Sequence, residues 1–255
     1  MLHTRIPPHI LCASALMLCA LSPAHAQSSD LEASSWRFQL TPYVWTPSLR
    51  GSITVSPSLP TAHVSEPFSD IWKDLHASAF LNATARKDRY VLHLDMSHVS
   101  LHKSASLPAG FPLEAKARIK QTSVSVLGGY NWELSANDSL DAMVGARWWN
   151  VRSSVEAQPL LPETRLSKRF TDPILAVRWR HQFNPQWSTL LYADAGGFGV
   201  GSHATWQVLA TVNYQVREQL YLSLGYRQLN VDYRKDAQRM DLRLGGPILG
   251  LTVQF

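Results

Sequence analysis

The sequence predicts an all-β fold, an antiparallel transmembrane β-barrel, on three observations. Apolar and polar side chains alternate with period two through most of the chain, as in strands that present one face to each of two environments. The connectors between the alternating runs are by turns short and long, the pattern of a barrel with short periplasmic turns and longer extracellular loops. Aromatic residues gather at the ends of the runs, where a membrane has its interfaces. The 255 residues include 9 Trp, 8 Tyr and 8 Phe and only 17% charged residues, which excludes a disordered chain. No 18 apolar residues follow one another, so no transmembrane helix is expected.

Residues 1–26 read as a cleavable signal peptide. Arg5 supplies the positive start, 10–21 the apolar stretch, and Ala24-His25-Ala26 the small-x-small cleavage site, with cleavage after Ala26 leaving Gln27 first. This segment holds both of the 2 Cys and one of the 24 Lys+Arg, so the barrel domain, 27–255, has no cysteine and 23 basic against 19 acidic groups. A disulfide scaffold and a cysteine-ligated zinc site are thereby excluded.

Ten strands are predicted in order, with eight or twelve as the neighbouring counts. Segment 36–46 begins at Trp36, and 76–86 ends on Arg86. In 89–102, Tyr90, Leu92, Leu94 and Met96 interleave with His93, Asp95 and Ser97. Segment 117–133 closes on Trp132, and in 139–152 Leu140, Val144 and Trp148 flank Asp141 and Arg147. Segment 173–183 sets Leu175, Val177 and Trp179 against Arg178 and Arg180, and 187–197 carries Tyr192 and Asp194. In 203–216, Trp206, Val208, Val212 and Tyr214 alternate with Gln207, Thr211 and Asn213. Segments 220–233 and 240–255 complete the set, the latter ending at Leu249, Leu251, Val253 and Phe255. The tight turns are Lys87-Asp88, 134–138, Asn184-Pro185-Gln186 and Arg217-Glu218-Gln219; the loops are 47–75, 103–116, 153–172, 198–202 and 234–239. Within the first loop a hairpin is expected, 52–55 against 62–65, followed by a helical turn at 69–75.

Trp36, Tyr90, Trp132, Phe183, Trp187, Tyr214 and Tyr221 flank the short turns as one interfacial girdle, with Trp45, Trp148, Phe198 and Tyr233 toward the other rim. A girdle of this kind puts the apolar face in lipid and the charged face inside. The inward set is then Arg37, Arg86, His93, Asp95, Asp141, Arg147, Arg178, Arg180, Asp194 and Arg227, a lumen network of ion pairs with Tyr43, Trp149 and Tyr192 beside it. Small barrels are filled by their own side chains, which favours a structural or narrow-channel role. Six arginines against three aspartates would favour anions if anything passes.

Leu249, Leu251, Val253 and Phe255 lie on one face of the last strand and resemble the signal read by the barrel-assembly machinery. Pro42-Tyr43-Val44-Trp45, Asp172-Pro173-Ile174, 196–202, 225–229 and Gly246-Pro247-Ile248-Leu249-Gly250 are similar to those of a widespread group of uncharacterised Gram-negative outer-membrane β-barrel proteins. That resemblance implies the fold and the outer membrane, and it implies no reaction.

No catalytic, cofactor or metal site is expected. His98-Val99-Ser100 has the His-x-Ser spacing of outer-membrane lipid A deacylases, which makes an outer-leaflet lipid-modifying enzyme the alternative from another class. An omptin-like protease would need acidic rim motifs that the loops do not show. The expected partners are outer-membrane lipid, lipopolysaccharide and the assembly machinery; nucleic acid is not expected, and the protein reads as a monomer. Arg165, Lys168, Arg169, Arg234, Lys235 and Arg239 either meet lipopolysaccharide phosphates or are solvated loop charges.

Overall fold

The computed structural model describes residues 35–54, 62–66, 75–108, 112–158, 161–235 and 238–255. The strands are β1 (Arg37–Trp45), β2 (Ser48–Thr54), β3 (Ala62–Glu66), β4 (Leu75–Lys87), β5 (Tyr90–Pro108), β6 (Pro112–Glu133), β7 (Asp138–Gln158), β8 (Leu161–Gln182), β9 (Trp187–Gly196), β10 (Ala204–Arg217), β11 (Leu220–Lys235) and β12 (Gln238–Gln254). Neighbours pair antiparallel, and β1 pairs with both β4 and β12, so β1 and β4 to β12 close a ten-stranded barrel. Closure leaves the ring no edge strand, which a membrane requires because it offers backbone groups no partner.

The expected hairpin in the first loop is present as β2 and β3, with Ser52 opposite His63. β2 carries the line of β1 onward along β12 without a change of register, Trp45 facing Ile248 and Ser48 facing Gly245. Thr46 donates to the Pro247 carbonyl at 3.1 Å, but Pro247 has no N–H to return the bond, which explains the interruption. β3 adds one strand outside the ring. The helical turn expected over 69–75 lies outside the described residues, apart from Leu75, which starts β4. The signal segment with Ala24 and Ala26 also lies outside them.

Two connectors read as long loops are mostly strand. β5 and β6 stay paired as far as Pro108 and Pro112, and β7 and β8 as far as Ala157 and Leu161. Beyond a membrane both faces of a hairpin meet water, so the backbone ladder persists while the apolar–polar contrast that marks it in the sequence disappears.

Leu92, Val126, Val144, Leu175, Val177, Val208, Leu224, Leu249 and Leu251 are exposed on the outer face, whereas Ser97, Ser123, Ser125, Thr205 and Gln207 are buried inside. This inverts the ordinary soluble arrangement and is the surface of a membrane-spanning barrel. Around the end that carries the short turns, Trp36, Tyr90, Trp132, Phe183 and Trp187 are exposed, and Tyr214 packs against Trp187 at 4.8 Å. Three girdle assignments are corrected. Trp45 and Tyr233 are buried inside the barrel, and Tyr221 lines the interior near its periplasmic mouth. In each case strand parity outweighs position along the strand: Trp45 shares the inward face of Tyr43, and Tyr233 that of Val231 and Leu229.

Candidate functional site: a lumen filled by charge and aromatic layers

The lowest layer centres on Asp141, which is 0% exposed. Register places it between Asn131 on β6 and Arg178 on β7's other neighbour, β8. Its carboxylate accepts from Arg86 Nη1 and Nη2 at 2.9 and 2.6 Å, from Arg178 Nε at 2.8 Å and from Asn131 Nδ2 at 2.6 Å. Arg86 reaches it across the lumen from β4 and binds in the two-pronged mode that suits guanidinium to carboxylate. Arg178 also donates to Thr84 at 3.0 Å and lies 3.2 Å from His93 Nδ1. Arg180 is held at the edge of this layer, donating to Ser139 and standing 4.0 Å from Asp141.

Two further ion pairs span the middle. Arg227 donates to Asp95 at 2.9 Å, to Gln207 at 2.6 Å and to the Tyr43 hydroxyl, which in turn donates to Asp95 at 2.9 Å. Arg147 donates to Ser125 at 2.8 Å and to Asp194, and Tyr192 donates to the same Asp194 oxygen at 2.8 Å. Each of the buried charges in these layers thus has a charged partner and neutral donors or acceptors around it, the condition under which buried ions are tolerated.

Above them the lumen turns apolar. Trp45, Phe80, Trp149, Leu229, Val231 and Ile248 form one buried cluster, with Phe170 and Tyr43 packed against it. The Trp45 and Phe80 rings are 6.1 Å apart and edge-on, and Tyr43 stacks on Phe80 at 5.3 Å. The Arg227 guanidinium lies 4.7 Å from the Trp45 ring centre and that of Arg147 5.8 Å from Trp149, so the charge layer is roofed by ring faces.

One interior carboxylate escaped the sequence reading, as did Phe80 and Asn131. Asp172 is 0% exposed; it accepts from Trp149 Nε1 at 3.0 Å, from the Ser202 N–H at 2.6 Å and from the Ser202 hydroxyl at 2.9 Å. It ties the loop between β9 and β10 onto the top of the plug. A Cβ at Gly201 would lie 2.4 Å from the Thr171 carbonyl and 2.6 Å from the Asp172 carboxylate, so only glycine lets the loop approach so closely. The Asp172-Pro173-Ile174 and 196–202 segments noted in the sequence are therefore two halves of one contact. Its signal was parity, since Asp172 shares the face of Ile174, Ala176 and Arg178, but Pro173 read as a strand start.

With Asp172 inside, the buried charges among the described residues balance, Arg86, Arg147, Arg178 and Arg227 against Asp95, Asp141, Asp172 and Asp194. Arg180 is half-buried, and Arg37 is exposed where β1 begins and joins none of these pairs. The surplus of arginine that would favour anions is thus confined to the periplasmic mouth. There a polar cavity of about 610 Å³ opens between the turns 134–138 and 183–187, with His93, Asn82, Gln207 and Arg180 on its walls.

Other residues singled out in the sequence stand apart from this interior. Leu249, Leu251, Val253 and Phe255 are exposed on the outer face of β12. The Phe255 backbone donates to and accepts from Phe38, and the two rings stack at 5.9 Å, so the chain end seals the β1–β12 seam. His98 is on the outer face, its Nδ1 2.8 Å from the Thr122 hydroxyl. Of the basic set, Arg169 is exposed, Lys168 is half-buried, Arg234 pairs with Asp232 at 2.6 Å, Lys235 and Arg239 are exposed, and the Arg165 side chain lies outside the described residues.

No family model matches the chain, and no curated protein matches its sequence. Among solved structures, the outer membrane protease OmpT from Escherichia coli superimposes with a TM-score of 0.53 at 9% identity, over 90% of this chain and 99% of that one. The translocator domain of the autotransporter NalP from Neisseria meningitidis gives 0.44 at 9% identity, over 86% and 88%. Neisserial surface protein A gives 0.37 at 16% identity, over 86% and 97%. What the chain shares with OmpT is the fold, a closed antiparallel β-barrel.

Proposed function

We propose that the protein is an integral outer-membrane barrel with a structural role, its lumen occluded and not a conducting pore. The observation that carries this is the stacking of two fillings across one lumen: the paired Arg/Asp network, and above it the Trp45, Phe80 and Trp149 cluster. Ten strands enclose only a little more than the eight whose interior side chains just fill, and these side chains are among the largest available. The balance of buried charge also removes the argument for a small anion-preferring pore. Export by the 1–26 segment with cleavage after Ala26, and insertion through recognition of Leu249, Leu251, Val253 and Phe255, belong to the same reading. The insertion reading is supported by the exposure of those four side chains on the outer face of the strand that closes the ring. Liposomes carrying the refolded protein should swell no faster in isotonic chloride or small sugars than protein-free liposomes; rapid swelling would favour the pore.

A further inference from the structure

The outer wall carries a group of cations that the occluded lumen does not use. Lys120 on β6 and Arg152 on β7 are direct register partners and both are exposed on the outer face. Arg169 on β8, exposed on the same face, pairs with Asn150, the outward residue next below Arg152. Like charges placed directly opposite across an antiparallel pair repel. Among the described residues no carboxylate forms an ion pair with any of the three.

Their height on the wall is set by the strands. A membrane-crossing β-strand needs roughly 9–11 residues. Trp179 is level with the girdle residue Trp132, both facing Leu140; from that level Trp132 to Thr122 on β6 and Trp179 to Arg169 on β8 each span 11 residues, and Lys120 is the next outward position beyond Thr122. Trp148, exposed beside Val124 and Thr171, marks the top of the apolar belt, and the cations begin one outward row above it. They lie at the end opposite the short turns and the chain terminus, which is the outer leaflet. Three unpaired cations converging at the level of the headgroups, on a wall that faces lipid, fit a phosphate on a lipid, and guanidinium and ammonium groups are the side chains that bind one.

We propose that Lys120, Arg152 and Arg169 form a docking site for a phosphate of lipid A in the outer leaflet. The site rests on the outer-membrane reading but not on the occlusion of the lumen. The phosphate relieves the repulsion between Lys120 and Arg152, and the acyl chains lie down the belt below, against Trp148, Val126 and Val144. The basic residues that the sequence assigned to loops are thereby narrowed to one, Arg169, joined by two strand residues.

The test uses the refolded full-length mature protein in detergent. Bisphosphorylated lipid A, lipid A stripped of both phosphates, phosphatidylglycerol and inorganic phosphate are titrated in turn, and binding and the thermal midpoint are read. Bisphosphorylated lipid A should bind and raise the midpoint, and the stripped form should do so far less. The variant K120A/R152A/R169A should bind it roughly a hundredfold more weakly, each cation contributing about fivefold, while K120R/R152K/R169K should keep most of the affinity. Equal binding of the stripped form, or unchanged affinity in the alanine variant, would overturn the site. Equal effects of phosphatidylglycerol would show a surface charge without selection for lipid A, and equal effects of inorganic phosphate an ion site without a lipid; either also overturns it. If the alanine variant fails to refold, the comparison of the two lipid A forms on the unaltered protein still decides.

Discussion

Asp141 is the residue on which the lower layer of the lumen depends. It receives two arginines and an asparagine while fully enclosed, so its removal strands two guanidinium groups that make no other ion pair among the described residues. Breaking one side of such an arrangement costs about 3–5 kcal/mol. Asp141→Ala should therefore lower the free energy of denaturant unfolding by that amount, and Asp141→Asn by less, since it keeps an acceptor oxygen. A midpoint unchanged in both variants would mean that Arg86 and Arg178 find water instead. Asp172 makes a different prediction, because two of its three bonds hold a loop. Asp172→Ala, and likewise Gly201→Ala, should speed proteolytic cleavage near Phe198 severalfold while the barrel still resists denaturation; unchanged cleavage in both would show that the loop is held by its own backbone.

At the scale of the element, β12 matters most, since it pairs with β11 along its whole length and closes the ring against β1. Phe255→Asp leaves the backbone bonds to Phe38 possible, and a charge at the interface of a lipid-facing strand costs only about 0–1 kcal/mol. A large fall in the yield of heat-modifiable barrel should nonetheless follow in cells, while refolding in detergent stays close to normal. A normal cellular yield would deny these residues a part in assembly. The strands were legible because lipid outside and charge inside keep the two faces of each one chemically opposite. His93 and Asp95 alternate with Leu92, Leu94 and Met96, the mark of a strand whose two faces meet different environments. Legibility failed where the contrast fades. The paired extensions of β5 to β8 meet water on both faces and read as loops. Trp45 and Tyr233 are aromatic in a fold that uses aromatics both at its rims and in its plug, so residue type alone could not say which. Asp172 was hidden behind a proline that looked like a boundary. Pairwise partners such as Arg86 with Asp141 depend on how the ring closes, and periodicity along one strand carries no information about that.

For the whole molecule, the filling changes along the barrel axis: an open cup at the periplasmic mouth, then a neutralised charge layer interleaved with the apolar cluster of Val91, Leu127, Met143, Ile174 and Tyr192, then an aromatic roof. Each filling supports the next, since Arg227 touches both Asp95 and the Trp45 ring, and Trp149 touches both Arg147 and Asp172. Charge layers alone could pass small ions along a string of waters. On the occluded-barrel proposal, the apolar cluster above them interrupts any such string and the roof is the barrier to conduction. Single-channel recording of the refolded protein in planar bilayers tests this most directly. No stable conductance steps should appear in the unaltered protein, and removing the roof with W45A/F80A/W149A should produce them. Large, long-lived steps from the unaltered protein would contradict the occluded barrel outright.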